Sequence, residues 1–404
     1  MHKLIILPGA TDALGGTLVT LSLLIKGLSQ RNLNSHFCVL TRAGSLMESY
    51  LTAAGHRDAL QLIEGECDRT FVANALKWVN QQPHQAPLLL DNCIARELLG
   101  TLIKGSLELR LSRRPVYFFF HDLGLSYNPI GYYLRKLMFT GLSPIGLCNS
   151  DFTAGHVRKF VSDIAGALYQ PVDTDKFRPL SDRTSTPPEP LKKIIQAGDR
   201  IMLTPSRLNK PGIINDKNLR GLIPVLAKLT EQGHRYRSVI IGEDSSEDGS
   251  HTRALVEAAA AAGVEHRLTI LPPTFEIERY FPYADVVVTL APREPFGRTV
   301  VEALACGTPV VGSRSGGIGE ILNHFAPEWT VDPDDVTMTA KTIHTVVNSD
   351  HTAETLADAQ AWVRSRCSVE TYARSILNVV SSADKFSEQQ TTQQPLSKRV
   401  VGHE

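Results

Sequence analysis

Short apolar runs alternate with helical stretches along this chain, and a Pro-rich segment breaks that alternation into two rounds. In the first half KLIIL, HFCVL, PLLLDN, VYFFFH and PIGLCNS read as strands, separated by stretches such as Val19–Leu28 with helical periodicity. After PLSDRTSTPPEP (179–190), the runs RIMLTPSR, RSVIIGE, RLTILPP, DVVVTLAP and TPVVGS restart the pattern. Strands that alternate with helices build a parallel sheet covered on both faces. The expected fold class is α/β, with two Rossmann-like domains facing each other across a cleft. A chain of 404 residues is long enough for two full cores. The expected boundaries are an N-terminal domain over 1–178, a linker over 179–198 and a C-terminal domain over 199–366. A C-terminal helix over 367–383 is expected to return to the first domain. Residues 384–404, rich in Ser, Gln and Lys, read as a disordered tail.

Lys+Arg and Asp+Glu balance at 42 each, which argues against a general nucleic-acid binder. The balance conceals an asymmetry: residues 1–180 carry 18 basic and 14 acidic side chains, and the remainder carries 24 and 28. The excess is densest over 96–159, with nine basic side chains against four acidic ones. That stretch reads either as a solvated basic face or as a surface for anionic lipid or an anionic acceptor. The six cysteines are far apart, without a C-x-x-C pair or metal-ligand spacing, and read as reduced thiols. KLIILPG offers four consecutive apolar residues before Pro8, too few for a signal segment, and no run approaches a membrane span. The expectation is a cytoplasmic protein, peripheral at most to the inner face of a membrane.

EPFGRTVVEALACGTPVVGSRSGG (294–317) carries the sharpest chemical signal. Glu294 follows a buried strand, the end at which open α/β sheets bind ligands. Gly297 then leads into a helix whose first N–H groups lack partners and carry positive partial charge. Amides near Arg298, Thr299 and Val300 suit a pyrophosphate, and Gly297 lets the backbone approach it. Glu302 lies roughly 7.5 Å further along the helix, where a carboxylate can accept hydrogen bonds from vicinal hydroxyls. Two glutamates so spaced suit the two hydroxyl-bearing ends of a nucleotide sugar. Either one alone is indistinguishable from a surface glutamate.

The pattern Glu-x-Phe-Gly, Glu-Ala, Gly-x-Pro-Val-Val and Gly-Gly over Glu294–Glu320 resembles the E-x7-E motif of retaining GT-B glycosyltransferases of glycosyltransferase family four. The resemblance implies that Glu294 binds sugar hydroxyls, that Phe296, Gly297, Arg298, Thr299 and Val300 meet sugar and phosphate, and that Glu302 binds the ribose. It also implies a strand-end arginine and a lysine that opens a helix, both facing the diphosphate. Arg207 supplies the first. Lys217 is the choice for the second over Lys210, with Lys210–Asn215 read as an inserted loop. Two fixed cations there would stabilise charge developing on the departing diphosphate. Thr274, in LPPTFEIERYFPYAD, corresponds to a base-reading loop, or is an ordinary Pro-rich turn.

In the first half, LPGATDALGG lacks the G-x-G-x-x-G spacing, and HFCVLTR ends in Thr41-Arg42 where a nicotinamide site wants an acid. By resemblance Gly15 and Gly16 touch the donor phosphate, and His121, at the end of VYFFFH, lies against the donor sugar. Ser150 resembles a cleft-facing serine and is equally a helix cap. QPVDTDKF resembles a Gly-Val-Asp-x-x-x-Phe segment but has Gln170-Pro171 in place of the glycine. The implied activity is transfer of a hexosyl, by first choice glucosyl, unit from a UDP-sugar such as UDP-glucose to a hydroxyl of a glycan or lipid-linked saccharide, with no cofactor and no metal. His121, Arg207, Lys217 and Glu294 would carry the chemistry. A nucleotide-sugar 2-epimerase of the same fold and a sugar-nucleotide-binding pseudoenzyme are the alternatives.

Overall fold

The structure, a computed structural model, describes residues 3–13, 15–126, 128–180, 186–212 and 216–391. The first half alternates strand and helix throughout: β1 (Leu4–Pro8), α1 (Gly16–Gln30), β2 (Phe37–Arg42), α2 (Leu46–Ala53), β3 (Leu60–Ile63), α3 (Asp68–Asn80), β4 (Leu88–Asp91), α4 (Arg96–Leu111), β5 (Val116–Phe120), α5 (Pro129–Leu142), β6 (Ile145–Cys148), α6 (Asp151–Val157) and β7 (Ile164–Ala167). These strands form one seven-stranded sheet in the order β3-β2-β1-β4-β5-β6-β7, parallel throughout. β1, β4 and β5 are buried along their whole length, which explains their unbroken apolar runs.

The second half contains α7 (Glu189–Gln196), β8 (Arg200–Pro205), α8 (Leu222–Glu231), β9 (Tyr236–Ile241), α9 (Ser250–Ala261), β10 (Leu268–Leu271), β11 (Val286–Thr289), α10 (Arg298–Ala305), β12 (Val310–Ser313), α11 (Gly316–Leu322), β13 (Thr330–Val331), α12 (Val336–Asn348), α13 (Thr352–Arg366) and α14 (Val369–Thr391). Its parallel sheet runs β10-β9-β8-β11-β12-β13. The two-sheet α/β architecture is the expected one. Three strands escape the sequence reading: β3, β7 and β13. All three are edge strands, which pack against one neighbour and need no continuous apolar run.

Two segments differ from the sequence reading in detail. Residues 189–196, within the stretch read as linker, are the helix α7, which buries Leu191 and Ile194 in the second core. α14 continues as helix to Thr391, beyond the start of the expected tail at 384; residues 392–404 lie outside the described ones. The first turns of α14 pack Tyr372, Ala373, Ile376 and Val380 into the core of the first sheet. Gly27 of α1 permits this approach, because a Cβ there would lie 2.8 Å from the Ala373 Cβ and from the Val369 carbonyl oxygen. Tyr117 fixes the same helix by donating to the carbonyl of Val380 at 3.2 Å. Five of the six cysteines are buried, and Cys67 is exposed.

Candidate functional site

The carboxyl ends of β5, β8 and β11 open onto one cavity of about 350 Å³, walled by both halves of the chain. Its second-half wall is shaped by backbone. After β11 the chain turns through Glu294–Gly297 into α10, and Gly297 holds a left-handed φ of +103°. The Gly316-Gly317 pair at the start of α11 packs directly on that turn. The Gly317 amide donates to the Glu294 carbonyl at 2.8 Å. A Cβ on Gly317 would lie 2.3 Å from the Phe296 carbonyl oxygen, and one on Gly316 would lie 2.7 Å from that of Glu294. Both glycines are therefore required by close approach. The Val300 amide is spent on the Gly297 carbonyl at 2.9 Å. The amides free to face an anion at this helix start are thus those of Arg298 and Thr299, one fewer than the sequence suggests.

Glu294 and Lys217 meet in this cavity, Nζ to Oε2 at 2.6 Å, with both side chains only partly exposed. Lys217 is held there by its neighbours. Asp216 pairs with Arg220 through both carboxylate oxygens at 2.9 and 3.0 Å and accepts the Asn218 amide at 2.8 Å. Asn218, in a left-handed conformation at φ 48°, donates its side-chain amide to the Leu290 carbonyl at 3.3 Å. A 3₁₀ turn, Leu219–Gly221, precedes α8, so Lys217 stands before that turn and not at the α-helix itself. Arg207 lines the same cavity. Lys210 is exposed and lies outside the wall. Residues 213–215 of the expected insertion are outside the described residues.

The first-half wall is a side-chain network. His121 follows β5, stacks on Phe119 at 4.5 Å and is nearly buried. Its Nε2 meets Asp91 Oδ1 at 2.7 Å and its Nδ1 meets the Gln170 side-chain amide at 2.8 Å. With Gln170 donating to Nδ1, the ring proton sits on Nε2 and is donated to Asp91. Both ring nitrogens are engaged, so His121 is oriented as a fixed wall of the cavity. Asp91, Asn92 and Gln170 were absent from the sequence-derived set. Asp91 ends an apolar strand, and Gln170 is the residue that departs from the family pattern; each was a readable signal. Asn92 adopts φ +54°, and Gly9 lies so close that a Cβ there would be 2.6 Å from the Asn92 carbonyl oxygen.

Cross-cleft contacts tie the walls together. Arg298 donates to the Pro171 carbonyl at 3.1 Å and to the Thr20 hydroxyl on α1. Gly16 makes room for this, since a Cβ there would lie 3.4 Å from Arg298 Nε. Gly16 and Thr17 bring the amino terminus of α1 to the cavity, so two helix N-termini, α1 and α10, face the same space. Gly15 is extended at φ 179° and lines an adjoining opening. Ser150 combines both of its readings: it caps α6 by accepting the Thr153 amide at 3.0 Å and donates to the Pro295 carbonyl across the cleft. Glu320 accepts the amides of Asp151 and Phe152, each at 2.9 Å.

Two expected donor contacts lie outside this wall. Thr274 accepts the Glu276 amide at 3.1 Å in the loop after β10. Glu302 is buried one turn below Arg298, with Arg298 Nη1 at 3.6 Å from Oε1. Burial pushes its carboxyl up to about 7, against the lowering influence of Arg298. Among the described residues no cluster of three or more His, Cys, Asp or Glu is placed to hold a metal ion.

Solved structures share this architecture. Anabaena HepE in complex with UDP-glucose superposes with a TM-score of 0.74 at 20% identity, covering 94% of this chain and 100% of that one. The sucrose-phosphate synthase of Thermosynechococcus elongatus gives 0.70 at 16%, covering 95% and 100%. The fold is that of GT-B glycosyltransferases. Among curated relatives, the D-inositol 3-phosphate glycosyltransferase of Mycobacterium marinum is 29% identical over 204 residues, 49% of this chain and 39% of the relative. That of Pseudarthrobacter chlorophenolicus is 40% identical over 98 residues, 24% of this chain and 23% of the relative. The chain thus spans well under half the length of these curated relatives. Residues 190–362, the stretch that brings Arg207, Lys217 and Glu294 together, match the family Glycosyl transferases group 1.

Proposed function

We propose that this chain is a retaining glycosyltransferase that moves a glucosyl unit from UDP-glucose to a hydroxyl of a glycan or lipid-linked saccharide. The observation that carries the reading is the Lys217–Glu294 pair beside the start of α10, facing His121 across one cavity. Transfer breaks the bond from the anomeric carbon to the phosphate oxygen and forms one to the acceptor oxygen; the acceptor's proton leaves with the diphosphate. Negative charge grows on the diphosphate as the bond breaks. Lys217, Arg207 and the Arg298 and Thr299 amides are preorganised to receive it, which favours the transition state over the ground state. Glu294 releases Lys217 to the phosphate and accepts hydrogen bonds from the sugar hydroxyls. His121, fixed by Asp91 and Gln170, closes the sugar pocket. By the family resemblance Glu302 and Thr274, which lie beyond the cavity wall, take the nucleoside side, Glu302 through the ribose.

The relatives give this reading its context: HepE binds UDP-glucose, and the curated relatives are named as inositol phosphate glycosyltransferases. Incubating the protein with UDP-glucose, with and without a glycan acceptor, tests it. Expected are UDP release and a glucosylated product of unchanged anomeric configuration. A 2-epimerised nucleotide sugar without acceptor, or binding without turnover, would replace this reading with an epimerase or a sugar-nucleotide-binding protein.

A further inference from the structure

α5 is apolar on two faces. Met138, Phe139 and Leu142 are buried, while Ile130, Tyr133, Leu134 and Leu137 face outward at helical spacing. Six of the ten exposed large apolar side chains among the described residues lie on α4 and α5; the other two of the six are Leu107 and Leu111, 62% and 74% exposed. The two helices pack closely, since a Cβ on Gly141 would lie 2.4 Å from Ser106 Oγ. Arg110 reaches from α4 to the Thr140 carbonyl of α5 at 3.4 Å. Leu107 and Leu111, three residues before and one after Arg110, therefore flank the same seam as the outward stripe of α5.

Cations accompany this apolar seam: Arg96, Lys104 and Arg110 on α4 and Lys136 on α5. Two acids share α4 with them, Glu97 seven residues before Lys104 and Glu108 four after it, so the four cations exceed the acids of the two helices by two. Glu108 accepts from the Asn80 side chain on α3 at 2.6 Å, and Glu97, about three helical turns earlier, shares its stripe. An amphipathic surface that pairs exposed apolar side chains with cations fits the interface of an anionic bilayer. The seam is also continuous with the donor cavity. A groove of about 230 Å³ between the helices shares Leu125 and Arg135 with an opening of about 300 Å³, which in turn shares Asn92, Asp122 and Pro295 with the donor cavity. Among the described residues no helix is long and apolar enough to cross a membrane, so contact here is with the bilayer surface.

We propose that the α4–α5 seam docks on an anionic lipid bilayer, which places the mouth of the donor cavity at the membrane. The docking itself does not depend on the transferase reading; delivery of a lipid-linked acceptor along the connected openings does. Flotation of the full chain with vesicles of phosphatidylcholine alone, or mixed equally with phosphatidylglycerol, tests it. The parent should bind the mixed vesicles at least about tenfold more tightly, and salt should weaken that binding. Ile130→Gln with Leu137→Gln should cost about tenfold or more. Lys104→Glu with Lys136→Glu should remove the preference for anionic lipid, each cation being worth roughly fivefold. None of the four residues lines the donor cavity, so thermal stabilisation by UDP should persist and report intact folding. Equal binding of both vesicle types by the parent, or unchanged binding by both variants, would overturn the proposal. So would a parent dimer that the glutamine pair converts to monomer without vesicle binding, which would assign the seam to a second copy. Loss of UDP stabilisation in the parent with vesicle binding intact would sink the transferase reading alone.

Discussion

The two walls of the cavity between the sheets are built by different means. The second-half wall is shaped by backbone: Gly316 and Gly317 let the start of α11 touch the turn that Gly297 completes, and a contiguous stretch of sequence spells the result. The first-half wall is side chains from three separate segments, with His121 held between Asp91 and Gln170. A wall made by close main-chain approach tolerates few residue types at each point, so it leaves a legible motif. A wall made by converging side chains can be assembled from many combinations, so no single stretch announces it.

The largest effect that tests this contrast belongs to Lys217. Lys217→Ala should lower kcat about 100- to 1,000-fold, the cost of one preorganised electrostatic donor. Lys210→Ala, an exposed charge, should stay within about fivefold of the parent. Steady-state kinetics with UDP-glucose decide it, and a dead Lys210→Ala variant would move the phosphate contact to that residue.

Next comes the backbone wall itself. Gly317→Ala forces a methyl against the Phe296 carbonyl and should destabilise the fold by about 1–3 kcal/mol. UDP affinity should fall at least about tenfold, because the displaced turn carries the Arg298 and Thr299 amides. Calorimetric Tm and UDP titration together test this; unchanged affinity would mean that the turn does not hold the phosphate.

The side-chain wall should respond more mildly and differently. Gln170→Ala removes one hydrogen bond to His121 and should lower kcat about three- to tenfold while UDP affinity stays as in the parent. A matching loss of UDP affinity would show that the first-half wall reads the nucleotide and not the sugar.

The smallest effect is a dependence on pH. Burial raises the Glu302 carboxyl from the ordinary 4.5 to about 7. Between those values the folded protein retains a proton that the unfolded chain has released, so this group's burden on stability is absent below the window and grows as pH rises through it. Glu302→Gln removes the titration, so its Tm advantage over the parent, without nucleotide, should widen by a few degrees from pH 5 to pH 8. Parallel Tm profiles for the two proteins would refute the buried-acid account. The same substitution should raise the KM for donor more than it lowers kcat, if Glu302 holds the ribose in ground and transition states alike.

The alternation of apolar runs was enough to read two parallel α/β sheets, because strands buried on both faces demand continuous apolar sequence. Edge strands β3, β7 and β13 were lost for the complementary reason. The Glu294–Gly317 stretch was readable because strand end, glycine turn and helix start are local in sequence, and local geometry follows from local residues. Whether Lys217 or Lys210 reaches Glu294 was not readable, since it depends on how Asp216, Arg220 and Asn218 fold the loop against Leu290. The Asp91–His121–Gln170 array and the bridges from Arg298 to Thr20 and Pro171 join residues far apart in the chain. The array forms only once β4, β5 and the segment after β7 lie side by side, and the bridges only once the two sheets have met; both are properties of the tertiary structure.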